Sequence, residues 1–177
     1  MTLPAPIAFL DVSYASNVAG VACLLADTWT AATPAMEISK CLGCRPADYI
    51  AGEFYKRELP LLRAVIDDLT HRPAVLVIDG YVWLGATNAR GLGAHLFEAF
   101  QSAIPIVGIA KSRYREDTWS ERVYRGKSRR PLYVTAAGVE TASAAALVSR
   151  MHGKHRIPTL LQLTDRLARS AAVHGCR

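Results

Sequence analysis

The 177 residues suffice for one domain but not for two independent cores, which commonly take about 100–150 residues each. Apolar residues make up 51% of the chain, Gly and Pro are ordinary in number, and no low-complexity tract interrupts it, which excludes a disordered or fibrous protein. No apolar run approaches the ~20 residues of a membrane span, residues 1–6 lack the basic start of a signal peptide, and the net charge of +6 favours nucleic acid as partner.

One globular domain over residues 1–177 is therefore expected, cytoplasmic, monomeric and without a membrane partner. Cys23, Cys41, Cys44 and Cys176 are too few and too scattered for a disulfide scaffold, so reduced thiols are expected; Cys41-Leu42-Gly43-Cys44 has the spacing of half a zinc site, but with Cys23 in a strand and Cys176 in the tail an unligated pair near a turn is expected.

Taken in order, Ile7-Ala8-Phe9-Leu10-Asp11 reads as a short buried strand ending on a carboxylate. Residues 18–25 read as a second strand after the turn at Ala15-Ser16-Asn17, so a meander of two or three strands opens the fold. From 50 to about 69 the apolar positions Phe54, Leu61, Leu62, Val65 and Leu69 recur at helical spacing until His71-Arg72-Pro73 breaks the pattern. Ala74-Val75-Leu76-Val77-Ile78 is a continuous apolar run, as in a strand covered on both faces. Residues 91–103 read as a helix, 104–110 as a further buried strand and Leu132-Tyr133-Val134 as a third. The segments 140–151 and 159–172 read as helices, with Thr141 or Thr159 as a cap and Pro158 between them. Strands first, then alternating strands and helices, predict an α/β fold: a mixed sheet flanked by helices.

Asp11 and Asp79 each follow a buried apolar run, where open α/β sheets bind ligands, although an Asp after a strand often only caps a turn. Glu58 decides between these. It lies four residues after Phe54 and four before Leu62, inside the apolar stripe, so its charge must find a cation, take up a proton or sit at the rim of a cleft. A divalent metal shared with Asp11 and Asp79 would satisfy all three, because Mg²⁺ takes oxygen ligands. Asp165 has Arg169 four residues on and, by itself, reads as an ordinary helix ion pair. The charge imbalance is concentrated between 111 and 130, with eight basic residues against three acidic, and Tyr114, Trp119 and Tyr124 interleave them as flat faces for unpaired bases.

Asp48-Tyr49-Ile50-Ala51-Gly52 followed by Lys56-Arg57-Glu58-Leu59-Pro60 resembles the endonuclease V pattern of a Tyr-Ile-Pro-Gly turn leading into Phe-Arg-Glu-x-Pro. Phe9-Leu10-Asp11-Val12-Ser13-Tyr14, Val77-Ile78-Asp79-Gly80, Val107-Gly108-Ile109-Ala110-Lys111-Ser112, the block 131–138, and His155-Arg156-Ile157-Pro158 leading to Asp165 resemble further motifs of that family in the same order. The resemblance implies a ribonuclease H-like fold and Mg²⁺-dependent hydrolysis of a phosphodiester near deoxyinosine in DNA or inosine in RNA, with Mn²⁺ as a substitute ion. It implies that Asp11, Glu58, Asp79 and Asp165 form the acidic metal site and that Lys111 approaches the phosphate or the attacking water. Tyr49 would be the wedge beside the displaced base, with Gly52, Gly80 and Tyr81 around it, and Arg113, Arg125, Lys127 and Arg129 would hold the nucleic acid. After Asp79 the family's histidine-containing run is replaced by Tyr81-Val82-Trp83-Leu84-Gly85-Ala86-Thr87-Asn88-Ala89-Arg90. That change leaves open another structure-specific nuclease on the same fold, or a binding module without turnover.

Overall fold

The computed structural model describes residues 3–43 and 54–175. Strands β1 (Ile7–Ala15), β2 (Val18–Ala26) and β3 (Met36–Gly43) form the opening meander, and helix α1 (Phe54–Ile66) follows. Next come β4 (Val75–Ile78), a short hairpin of β5 (Trp83–Leu84) and β6 (Ala89–Arg90), and helix α2 (Leu92–Ala99). Strands β7 (Ile106–Ala110), β8 (Glu121–Val123) and β9 (Leu132–Ala137) then precede helices α3 (Thr141–Arg150) and α4 (Thr159–His174).

Seven strands form one sheet in the order β3-β2-β1-β4-β7-β9-β8. The strands β1, β4 and β7 run parallel in its centre, and the others add antiparallel on either side. Alternation along these strands divides the core in two. Ile7, Phe9, Val75, Val77, Val107 and Ile109 face α3 and α4. Ala8, Leu10, Leu76, Ile78 and Ile106 face α1 and α2. This double cover is why the central runs read as unbroken apolar sequence. The mixed sheet with helices on both faces is the ribonuclease H-like fold expected from the motifs.

Several local expectations change. The first strand does not end at Asp11: β1 runs on to Ala15 because β2 pairs with it along its whole length, while pairing with β4 stops at Leu10 opposite Ile78. Asp11 thus stands where the parallel neighbour ends, beside Asp79. Neither threonine caps its helix. Glu140 and Pro158 hold the cap positions, and the Thr159 hydroxyl lies 2.9 Å from His152 Nδ1. Cys41 is disulfide-bonded, against the expectation of four free thiols. Cys23 is free and buried.

The two outer strands differ from the centre. On β3, Lys40 reaches the Ala64 carbonyl at 2.7 Å and Asp68 at 2.6 Å, while β8 has only three residues, of which Glu121 and Arg122 are exposed.

Helix α4 lies directly on β2 at Gly20, where a Cβ would stand 2.0 Å from the Ala168 carbonyl oxygen and 2.3 Å from the Ala172 nitrogen. Both obstacles are backbone, so no side chain can yield. Gly20→Ala is expected to lower stability by about 1–3 kcal/mol or more, read as a shifted midpoint with unchanged slope in urea unfolding.

Candidate active site

The acidic residues approach one another where β4 stops short of β1. Asp11 comes from the uncovered part of β1 and Asp79 from the residue after β4, so the register Leu10 opposite Ile78 makes them neighbours. Glu58 comes from α1, in the apolar stripe, and is only 7% exposed. Asp165 comes from α4 on the other face. Its carboxylate pairs with Arg169 at 2.9 Å, as the spacing suggested, yet it is 27% exposed rather than free in solvent, and Asp11 and Lys111 feel its charge. The ion pair expected from the spacing is present, and Asp165 also lies within electrostatic reach of Asp11 and Lys111.

Burial, followed by the charge of Asp79, pushes the Asp11 carboxyl up to about 7; the Val12 N–H, at 2.9 Å, and Lys111 pull the other way. Glu58 is pushed up to about 8, first by burial and then by Asp11, with Arg57 opposing and Asp79 adding. Arg57 stacks over the Tyr14 ring at 3.6 Å, and Glu58 still feels its charge. Lys111, at the end of β7, forms an ion pair with Asp79. Burial alone would lower its pKa, but the Asp79 hydrogen bond and the charges of Asp79, Asp11 and Asp165 raise it. Lys111 is a cation at neutral pH.

Two glycines make room for this arrangement. A Cβ on Gly108 of β7 would lie 2.6 Å from the Gly80 carbonyl oxygen and 3.0 Å from the Val82 nitrogen, so only glycine lets the segment after Asp79 pass over β7. Gly80 has φ 154°, which favours glycine, and a Cβ there would meet nothing within 4 Å. Val82 N–H donates to the buried Thr135 hydroxyl at 2.8 Å, and the Trp83 indole donates to the Ala136 carbonyl at 2.8 Å.

The basic residues divide. Lys111, Ser112, Arg113, Arg129, Arg130 and Arg156 line a polar cleft, which Lys111 links to the acidic residues through its ion pair with Asp79. Lys127 is exposed outside it. Arg125 departs from the sequence expectation: it is only 6% exposed, and its guanidinium donates to the carbonyls of Ser149, Met151, Gly153, His155 and Arg156. It holds the turn between α3 and α4 and has no face for a phosphate. The guanidinium of Arg156 bonds to the carbonyls of Lys111 and, at 2.8 Å, Pro131, fixing the end of β7 against the start of β9. The His-Arg-Ile-Pro block carried that residue without indicating its role. Tyr81 is half-buried, its hydroxyl bonded to the Ser112 carbonyl at 2.9 Å. Tyr49 and Gly52 lie outside the described residues. An apolar pocket beside Trp29 lies at the opposite end of β1, away from Asp11 and Asp79.

The endonuclease V family model matches residues 2–134, three quarters of the chain. The chain belongs to the endonuclease V family. It is 29% identical to endonuclease V of Ignicoccus hospitalis over 176 residues, covering 92% of this chain and 81% of that protein. It is 28% identical to endonuclease V of Rhodospirillum centenum over 144 residues, covering 70% of this chain and 59% of that protein. The match therefore spans less than two thirds of the latter's length. Among solved structures, endonuclease V from Streptomyces avermitilis superposes with TM-score 0.81 at 23% identity, covering 99% of this chain and 85% of that one. A Ciona intestinalis endonuclease V in complex with inosine-containing DNA superposes with TM-score 0.70 at 18% identity, covering 94% and 84%. Among the described residues no helix is long and apolar enough to cross a membrane.

The acidic donors of this endonuclease V family member suit a hard cation in kind, being all carboxylate oxygen and short of compensating charge. Among the described residues, no three His, Cys, Asp or Glu side chains are already drawn to metal-ligand spacing. The consequence for stability has a definite sign. The folded values near 7 and 8 lie above the usual 3.8 and 4.5, so the folded state binds more protons than the unfolded one. Stability from these groups is full below the usual values and lost as pH rises through the folded ones. In chelator, the thermal midpoint should fall from about pH 5 to about pH 8; Mg²⁺ or Mn²⁺ should oppose the fall, and Asp11→Asn should both flatten it and remove the cation effect.

Proposed function

We propose that this protein is a divalent-metal-dependent endonuclease that hydrolyses phosphodiester bonds in nucleic acid, near deoxyinosine in DNA or inosine in RNA. One observation carries the reading: Lys111 is ion-paired with Asp79 and lies within reach of the charges of Asp11 and Asp165, Glu58 lies within reach of those of Asp11 and Asp79, and Lys111 also lines a cleft with several arginines. The inosine-containing DNA bound to the Ciona intestinalis relative supports the choice of substrate.

Asp11 and Asp79 would be the central ligands of the cation, Mg²⁺ or Mn²⁺, with Glu58 completing the set and Asp165 at its edge. A bound divalent ion supplies Lewis-acid activation of water and offsets charge on the phosphoryl oxygens. The chain's own contribution begins with Lys111. Its raised pKa keeps it protonated, so it serves as a positive charge or proton donor at a phosphate oxygen and not as a general base. Arg156, by gripping the Lys111 carbonyl, orients the strand end that carries this ammonium. Arg113, Arg129 and Arg130 line the path for neighbouring phosphates. Tyr49 is assigned the wedge role by its place in the family motif.

The deciding experiment is cleavage of inosine-containing DNA and RNA, beside unmodified controls, with Mg²⁺ and with chelator. Asp79→Asn keeps the shape of the side chain and removes its charge, so turnover should fall by more than the roughly 10–100-fold typical of losing a metal's outer-shell support. Wild-type-like cleavage by that variant would overturn the assignment.

The arginines give a second test. Arg125→Ala should cost about 2 kcal/mol or more of stability, because five carbonyls lose a charged donor, yet leave the salt dependence of binding unchanged. Replacing the exposed Arg129 and Arg130 by Gln should leave stability nearly intact and reduce the slope of log affinity against log salt by roughly one to two.

A further inference from the structure

The segment that departs most from the family pattern, residues 81–90, builds the β5–β6 hairpin, and this hairpin fixes two exposed aromatic rings in the basic loop opposite. Trp119 is 56% exposed and Tyr114 43%. The Trp119 indole N–H donates to the Ala86 carbonyl in the hairpin turn at 3.1 Å. Tyr114 N–H donates to the Tyr81 hydroxyl at 3.0 Å, and the two rings meet edge to face with centroids 6.0 Å apart. From within the loop, the buried Asp117 carboxylate accepts the N–H groups of Trp119 at 3.2 Å and Ser120 at 3.1 Å, while Arg113 donates to the Asp117 carbonyl at 3.0 Å. The hairpin is itself anchored to β9 through Val82 and Trp83.

This is an unusual amount of ordering for side chains left in water. Exposed rings normally lose conformational freedom when they bind; these two have lost much of it already, which favours binding through their faces. Arg113 joins them to the cleft, being both the brace of the Asp117 turn and a wall of the path that starts at Lys111. Flat aromatic faces beside guanidinium groups suit a chain of stacked bases with phosphates alongside. Bases inside a duplex have no free face to offer.

We propose that Trp119 and Tyr114 form a stacking shelf for unpaired bases, so that the strand leaving the cleavage site toward the hairpin is bound single-stranded. The proposal rests on the nuclease reading of the acidic cleft and names the form of its substrate. It assigns the replaced segment a role: the hairpin holds the shelf.

The test compares one inosine-containing oligonucleotide as a single strand and within a full duplex, measuring binding by fluorescence anisotropy in chelator and cleavage with Mg²⁺. Trp119→Ala should weaken single-strand binding and kcat/KM by roughly ten-fold or more while changing the duplex values by less than about two-fold. Trp119→Phe, which keeps a ring, should retain most of the single-strand affinity, and Tyr114→Leu should act like Trp119→Ala. Equal losses on both forms, or none on the single strand, would overturn the shelf. Should the wild type cleave neither form, the nuclease reading fails, and the binding arm still decides the shelf: loss of single-strand affinity in Trp119→Ala supports it, unchanged affinity refutes it.

Discussion

Two carboxylates withdrawn from water within reach of each other's charge impose the central constraint on this molecule. Asp11 comes from the central sheet and Glu58 from the helix packed on it, and neither is comfortable as an anion where it stands. A core of apolar residues alone would expel them. They persist because the rest of the cleft is arranged to answer negative charge: Lys111 on Asp79, Arg169 on Asp165, and Arg57 close enough for Glu58 to feel it. The remaining deficit is what a hard cation would fill.

That arrangement depends on backbone proximity more than on side-chain chemistry. β4 stops at Ile78, opening the edge of β1, and the chain then passes over β7 at the one residue without a Cβ, Gly108. Thr135 and Ala136 on β9 catch it on the far side. Arg156 closes the same corner from the α3–α4 turn, which Arg125 in turn holds shut from inside. The acidic site is thus supported by a ring of backbone carbonyls and N–H groups, most of them far from it in sequence.

Much of this was legible beforehand where the signal is periodic. The apolar runs ending at Asp11 and Asp79 located two ligand candidates, and the helical stripe around Glu58 located a third, since a carboxylate among leucines is a physical contradiction that demands a partner. What the sequence could not display were contacts that depend on which strands become neighbours. Arg125 looks like any other arginine in a basic run, and only the path of the chain after Met151 turns it inward. The true length of β1 is set by β2 and not by its own residues. The hairpin at 83–90 gave no alternation to read, being two short pairs of residues.

The margins of the sheet have a consequence of their own. A sheet whose middle is continuously apolar is exposed to stacking edge against edge with other chains, since any unpaired outer strand offers a template of free N–H and C=O groups. Here one margin carries Lys40, tied to Asp68 and to the end of α1, and the other is a three-residue strand with Glu121 and Arg122 in solvent. An incoming strand would have to bury these charges for few hydrogen bonds in return. Charge at both margins thus opposes strand addition to a sheet whose apolar residues are concentrated at its centre.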